Sequence, residues 1–298
     1  MARLRLLPVP FQARRSFATT AIKLQLSLAY QAWPTVASSG HGESNARPII
    51  FMHGLFGSKQ NNRSMSKVLA SQLKTTVYAI DLRNHGDSPH HPEHNYSVMA
   101  DDVEEFISSQ KLERPVLIGH SMGAKAAMTV ALRSPETVSA VISVDNSPVS
   151  VPLSSDFAKY VRGMKHIEEA KVTKQKEADE ILAQYEESLP IRQFLLTNLI
   201  RSQDDNILRF RVPLQILGDS LDNMADFPYG MADDIKYDGP ALFVKGTRSS
   251  YIREKSMPYI QKFFPNWQLE NVEAGHWLIS ENPEAFKSAV VSFLRNVK

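Results

Sequence analysis

The sequence predicts an α/β fold, a mostly parallel central sheet flanked by helices, interrupted once by a helical insertion. Three observations carry this. Apolar runs open at a proline and close on or beside a glycine: "PIIFMHG" from Pro48, "PVLIGHS" from Pro115 and "PALFVKG" from Pro240. They are continuous in Val, Ile and Leu rather than alternating, as strands buried on both faces of a parallel sheet are. Helical periodicity lies between strand patterns, and strand–helix alternation is the mark of a doubly wound sheet.

Taken in order, residues 22–30, "IKLQLSLAY", alternate apolar and polar and read as a half-buried edge strand. "ASSGHGESNA" (37–46) reads as a loop. The run after Pro48 is the first buried strand, since proline is tolerated at a strand's first residue. A helix is expected over 62–73, a strand within "TTVYAIDLR" (75–83) and a helix over 97–110. The run after Pro115, a helix over 122–134 and a strand in "VSAVISVD" (138–145) follow. "WQLENVE" (267–273) is the last strand. In the final helix Asn282 can cap with Pro283 at the first position. Phe286, Ala289, Val290 and Phe293 form its apolar face. The alternation breaks over 149–235, which reads as mostly helical, with patterns such as "SSDFAKYVRGMKHIEEA" and "KEADEILAQYEES" followed by the apolar "PIRQFLLTNLI". The core is therefore expected over 22–148 and 236–298, with 149–235 as a cap; the charged stretch 165–188 reads as a solvated helix face.

Composition excludes several classes. No stretch approaches the roughly 20 apolar residues of a bilayer span. A net charge of +2 argues against a general nucleic-acid binder. The absence of cysteine removes disulfides, thiolate metal sites and a cysteine nucleophile. Arg3, Arg5, Arg14 and Arg15 precede the first acid, Glu43, in a segment that also carries serine and threonine. That composition is an organellar transit peptide's, and "RRSFATT" resembles mitochondrial presequence cleavage sites, which puts the expected cut near Phe17 or Ala18. Loss of residues 1–17 leaves 30 basic and 32 acidic residues.

The chemistry centres on "VLIGHSMGAKAAM" (116–128), where Gly119 and Gly123 flank Ser121 in a G-x-S-x-G pattern at a strand-to-helix junction. This is a nucleophile elbow: small residues permit a tight turn that lifts the serine hydroxyl above the sheet at a helix N-terminus. A serine needs a base. Only His166 and His276 follow Ser121, and His276, in "EAGHWL", comes directly after the last strand. It is the expected base. The loop after the preceding strand, "KGTRSSYI", carries no carboxylate. The acid is assigned to Asp145, at the carboxyl end of the strand after the elbow, with Asp222 and Glu254 as alternatives. "FMHGLFGS" follows the first buried strand, so the backbone N–H groups of Leu55 and Met122 are the expected oxyanion donors. Arg83, Asn84 and His85 in "DLRNHGDSP" could line a pocket; the favoured reading is a structural loop turned by Gly86. "HHPEH" (90–94) has a proline-broken spacing and reads as an exposed loop, not a metal site. Phe194, Leu195 and Leu199 are candidates for an acyl-pocket wall, against simple packing between cap and core.

HGLFGS (53–58), DLRNHGDSP (81–89), IGHSMGA (118–124), VDNSPV (144–149) and AGHW (274–277) together resemble the α/β-hydrolase superfamily. More narrowly they resemble the mitochondrial alpha/beta hydrolase domain-containing protein 11 subfamily, from about residue 24 to the C-terminus. That resemblance implies the α/β-hydrolase fold, an acid at the position of Asp145 and a serine-bearing loop in place of the usual acid. It implies a serine hydrolase of short or medium acyl esters or thioesters in the mitochondrial matrix, with no metal or organic cofactor. Similar yeast proteins transfer acyl groups from acyl-CoA to alcohols. Animal members are linked to a mitochondrial 2-oxoacid dehydrogenase complex, which leaves a non-catalytic, stabilising role toward an enzyme-complex partner as a third possibility.

Overall fold

The computed structural model describes residues 25–34 and 46–297. The transit peptide expected over 1–17 and nearly all of the loop expected over 37–46 lie outside the described residues. In chain order the strands are β1 (Tyr30–Trp33), β2 (Ile49–Met52), β3 (Val77–Ile80), β4 (Val116–His120), β5 (Ala140–Val144), β6 (Leu199–Arg201), β7 (Leu208–Phe210), β8 (Ala241–Gly246) and β9 (Trp267–Val272). The α-helices are α1 (Arg63–Leu73), α2 (Tyr96–Ser109), α3 (Met122–Arg133), α4 (Asp156–Ala170), α5 (Gln175–Leu182), α6 (Leu189–Leu196), α7 (Leu214–Asp219), α8 (Leu221–Ala225), α9 (Met257–Phe263), α10 (Leu278–Glu281) and α11 (Pro283–Asn296).

Seven strands make one sheet in the order β1-β3-β2-β4-β5-β8-β9, parallel except for β1. The continuous apolar runs are explained by two separate cores. Ile49 and Phe51 pack toward Leu69 of α1 and Phe286 and Val290 of α11, whereas Ile50 and Met52 join the cluster of Val103 and Ala127 from α2 and α3. A strand read by two layers needs apolar residues at every position, each burial contributing about 1.5–3 kcal/mol. The last helix starts as expected: the Asn282 side chain accepts from the Ala285 N–H, with Pro283 in the first turn. This Asx-type cap satisfies a donor the helix leaves open.

Two elements differ from the sequence reading. The edge strand is Tyr30–Trp33, paired with β3; of the stretch expected, 22–24 lie outside the described residues and 25–29 are not strand, although the Ala29 carbonyl accepts from the Asp81 N–H. Before it, the Leu26 N–H donates to Asp102 Oδ1 and the Ala29 N–H to Ser88 Oγ. Side chains there take the bonds a neighbouring strand would have taken, so alternation alone did not make a strand. In the stretch 189–200 the helix ends at Leu196, and Leu199–Arg201 instead pairs antiparallel with Leu208–Phe210.

The elements between β5 and β8 are tied to the core by buried polar bonds. Lys125 of α3 donates to the carbonyls of Ala225 and Asp226 at 3.0 and 2.7 Å, and the Tyr96 hydroxyl donates to the Met224 carbonyl at 2.9 Å. Burial lowers the Lys125 pKa to about 8. Among the described residues, no helix is long and apolar enough to cross a membrane.

Candidate active site

β4 and β5 are adjacent parallel strands, with His120 paired to Val144. Ser121 and Asp145 each sit one residue past the strand end, and both hold positive φ, 53° and 52°. The Ser121 N–H continues the ladder to the Val144 carbonyl, and the Asp145 N–H to that of Val244. The sheet thus grips the backbone while both side chains turn away at its carboxyl edge. A non-glycine residue at φ > 0 is strained and persists only where the surroundings impose it. Here the flanking glycines make room. A Cβ on Gly119 would lie 2.1 Å from the Gly123 carbonyl oxygen, and one on Gly123 would lie 2.6 Å from that of His53.

His276 lies four residues past β9. Its ring joins the other two: Nδ1 is 2.6 Å from Asp145 Oδ2 and Nε2 is 3.0 Å from Ser121 Oγ. In the tautomer these partners require, Nδ1–H donates to the carboxylate and Nε2 accepts from the hydroxyl. The structure therefore brings Ser121, His276 and Asp145 into one hydrogen-bonded chain. The alternative carboxylates, Asp222 and Glu254, are exposed in the first turns of short helices, and His166, on α4, bonds the Tyr185 hydroxyl.

Asp145 is fully buried and accepts two further bonds. The Gly246 N–H donates to Oδ1 at 3.1 Å and the Ser249 hydroxyl to Oδ2 at 2.5 Å. The carboxylate-free loop "KGTRSSYI" thus supplies donors to an acid held on the neighbouring strand. Its sequence had shown only the missing acid. Two other side chains escaped the sequence reading. The Tyr251 ring stacks on His276 at 4.1 Å. His120, immediately before the serine, donates Nε2–H to the His276 carbonyl at 2.8 Å. Burial and the nearby His276 hold the His120 pKa down to about 4, so it is neutral near pH 7.

Gly54 and Leu55 lie against the elbow: a Cβ on Gly54 would stand 3.2 Å from that of Ser121. Among the described residues, neither the Leu55 nor the Met122 N–H has an acceptor. Arg83, Asn84 and His85 are buried and serve the loop. Arg83 pairs with Asp102, Asn84 exchanges bonds with the His91 backbone, and His85 accepts from the Phe56 N–H. Gly86, at φ 55°, lies so close to Asp81 that a Cβ would meet its carboxylate at 2.1 Å. His90, His91 and His94 belong to no group of three metal-ligand side chains among the described residues.

A cavity of about 750 Å³ flanks the site, bordered by Gly54 and His120 on one side and by Met65, Ile191, Phe194 and Trp277. Phe194 is the one expected wall residue that borders it, packed 4.5 Å from the Trp277 ring. Leu195 is buried in the core and Leu199 packs against it.

The α/β-hydrolase fold family model matches residues 47–283. The chain is 38% identical to the mouse (Mus musculus) "sn-1-specific diacylglycerol lipase ABHD11", over 85% of this chain and 82% of that protein. It is 36% identical to the "Probable alcohol acetyltransferase" of Saccharomyces cerevisiae, over 91% of this chain and 84% of that protein. The solved structure "Marine microorganism esterase" superposes with a TM-score of 0.81 at 35% identity, covering 90% of this chain and all of that one. By its family match, its sheet order and these relatives, the chain belongs to the α/β-hydrolase family, near the ABHD11 group.

Proposed function

We propose that this protein is a serine hydrolase that cleaves carboxylic esters or thioesters of short or medium acyl groups through an acyl-enzyme. The observation that carries the proposal is the His276 ring, hydrogen-bonded at once to Asp145 and to Ser121. In this reading His276 Nε2 takes the Ser121 proton as Oγ attacks the carbonyl carbon. Asp145 holds the ring in the useful tautomer and stabilises the imidazolium. The Leu55 and Met122 N–H groups receive the oxyanion, one such donor being worth roughly 3–4 kcal/mol of barrier. The proton then passes from His276 to the departing alkoxide or thiolate. Water, deprotonated by His276, attacks the acyl-enzyme and frees Ser121.

Residues 149–235 act as a cap, and the cavity beside Phe194 and Trp277 receives the acyl chain. Residues 1–17 direct the protein to the mitochondrial matrix; the arginine-rich, acid-free composition supports this, and a purely cytosolic signal from residues 1–30 fused to a fluorescent reporter would refute it. No resident cofactor is required by these steps.

A second reading is favoured by the yeast alcohol acetyltransferase relative. An alcohol would replace water in the second half-reaction, with the same triad. Labelling with a fluorophosphonate probe tests the shared first half. Absence of label on the wild type, or equal label on Ser121→Ala, would sink the serine mechanism in favour of a non-catalytic, partner-stabilising role. Product analysis with acetyl-CoA and ethanol separates the two acceptors: ethyl acetate marks the transferase, free acetate alone the hydrolase.

A further inference from the structure

The Gly54–Gly57 turn, which carries the Leu55 N–H, is closed by the Gly57 N–H donating to the Gly54 carbonyl at 3.0 Å. Phe56, its third residue, has φ 61°. That position of such a turn suits glycine, and a bulky residue holds it only where neighbours impose it. The neighbours come from two sides. From the core, His85 Nε2 accepts the Phe56 N–H at 3.1 Å, its own Nδ1–H donating to the Arg83 carbonyl at 2.9 Å. From the elements between β5 and β8, Asn198 Nδ2 donates to the Phe56 carbonyl at 2.7 Å, and Phe157 faces the Phe56 ring at 6.3 Å.

Asn198 is itself locked. It is 3% exposed, and its Nδ2 also donates to the Leu195 carbonyl at 3.2 Å. Two carbonyl acceptors around one atom require the amide nitrogen there and fix the side chain's orientation. Its own carbonyl accepts from the Arg211 N–H at 2.8 Å, extending the β6–β7 ladder by one pair. The unexpected hairpin thus anchors one side chain onto the turn beside the serine.

We propose that Asn198 is a positioning residue: by holding the Phe56 peptide it orients the Leu55 N–H, so the oxyanion site is complete only while residues 149–235 are seated on the core. This rests on the reading of Leu55 as an oxyanion donor.

The test uses Asn198→Leu, near-isosteric without a donor, and Asn198→Asp, which puts acceptors against the Phe56 carbonyl and serves if the leucine variant fails to fold. Rates are normalised to active sites titrated with a fluorophosphonate. The expected result has three parts. Ester kcat falls roughly ten- to a hundredfold with KM unchanged. Affinity for a trifluoromethyl ketone, which adds Ser121 Oγ to its carbonyl and places an oxyanion in the same site, falls in parallel. Amide hydrogen exchange of residues 54–57 accelerates. A rise in KM with kcat unchanged would mean a pocket role only and overturn the proposal, as would unchanged exchange in the turn. Faster exchange with unchanged kcat and ketone affinity would also overturn it, locating the error in the Leu55 assignment. A wild type that neither cleaves ester nor labels at Ser121 would instead remove the serine mechanism, while the exchange measurement still reads the link between Asn198 and the turn.

Discussion

The Ser249 hydroxyl donates to Asp145 Oδ2, the same oxygen that faces His276 Nδ1. These residues stand 104 positions apart, on loops after the neighbouring strands β5 and β8. In this fold either loop can deliver a carboxylate to the histidine, because both open at the same edge. Here the β5 loop places the Asp145 carboxylate against His276, and the β8 loop completes its shell with a hydroxyl and the Gly246 N–H. Buried polar atoms need hydrogen-bond partners, and these donors supply them to the carboxylate.

Two substitutions test this division of labour. Asp145→Asn should lower kcat about 10²–10⁴-fold, because the wrong histidine tautomer is then favoured. Ser249→Ala leaves the acid in place but removes one donor, and should cost roughly three- to tenfold. Steady-state kinetics on one ester decide both. Full activity in Asp145→Asn would show that another carboxylate serves His276.

Gly119→Ala should unfold or severely destabilise the protein. Its methyl group would enter the Gly123 carbonyl, a backbone atom that cannot move aside. A loss of at least about 3 kcal/mol in denaturant unfolding is expected, as for other overpacked or strained core sites. Gly123→Ala should behave similarly, against the His53 carbonyl.

Acid should destabilise the fold before it titrates most carboxylates. Burial lowers the pKa of His53, His85, His94 and His120, the last to about 4 and His94 to about 3. Above pH ~6.5 these rings are neutral in both states. Below it the unfolded chain binds protons that the folded chain refuses, so stability falls as pH drops from ~6.5 toward ~4. The melting temperature at pH 5 should lie ~5 °C or more below that at pH 7.5. His120→Gln should flatten that slope; an unchanged slope would place His120 outside this group.

Phe194→Ala should shift preference toward longer acyl chains by opening the cavity wall at Trp277. A panel of esters of increasing chain length reads this as a rise in relative kcat/KM of several-fold for the longer members. A uniform loss across the panel would instead make Phe194 a packing residue.

The parallel sheet was legible because strands buried on both faces leave continuous apolar runs, and the elbow was legible because only glycine fits at 119 and 123. The edge strand was misjudged because a period-two pattern records burial and not a pairing partner. The Leu199–Arg201 strand was hidden because the apolar periodicity of the preceding helix runs into it without a break.

The sequence by itself determined the buried strands of the parallel sheet and the helices between them, the serine with its two glycines, and a short list of histidines and carboxylates. These depend on local periodicity and backbone freedom, which neighbouring residues encode. Tertiary structure alone decided that Ser249 faces Asp145, that His120 holds the His276 carbonyl and that Asn198 reaches Phe56. Each of those bonds joins residues more than 100 positions apart, and hydrogen bonding is short-ranged and directional. Only the register of the strands and the seating of the hairpin bring such groups within 3 Å of one another.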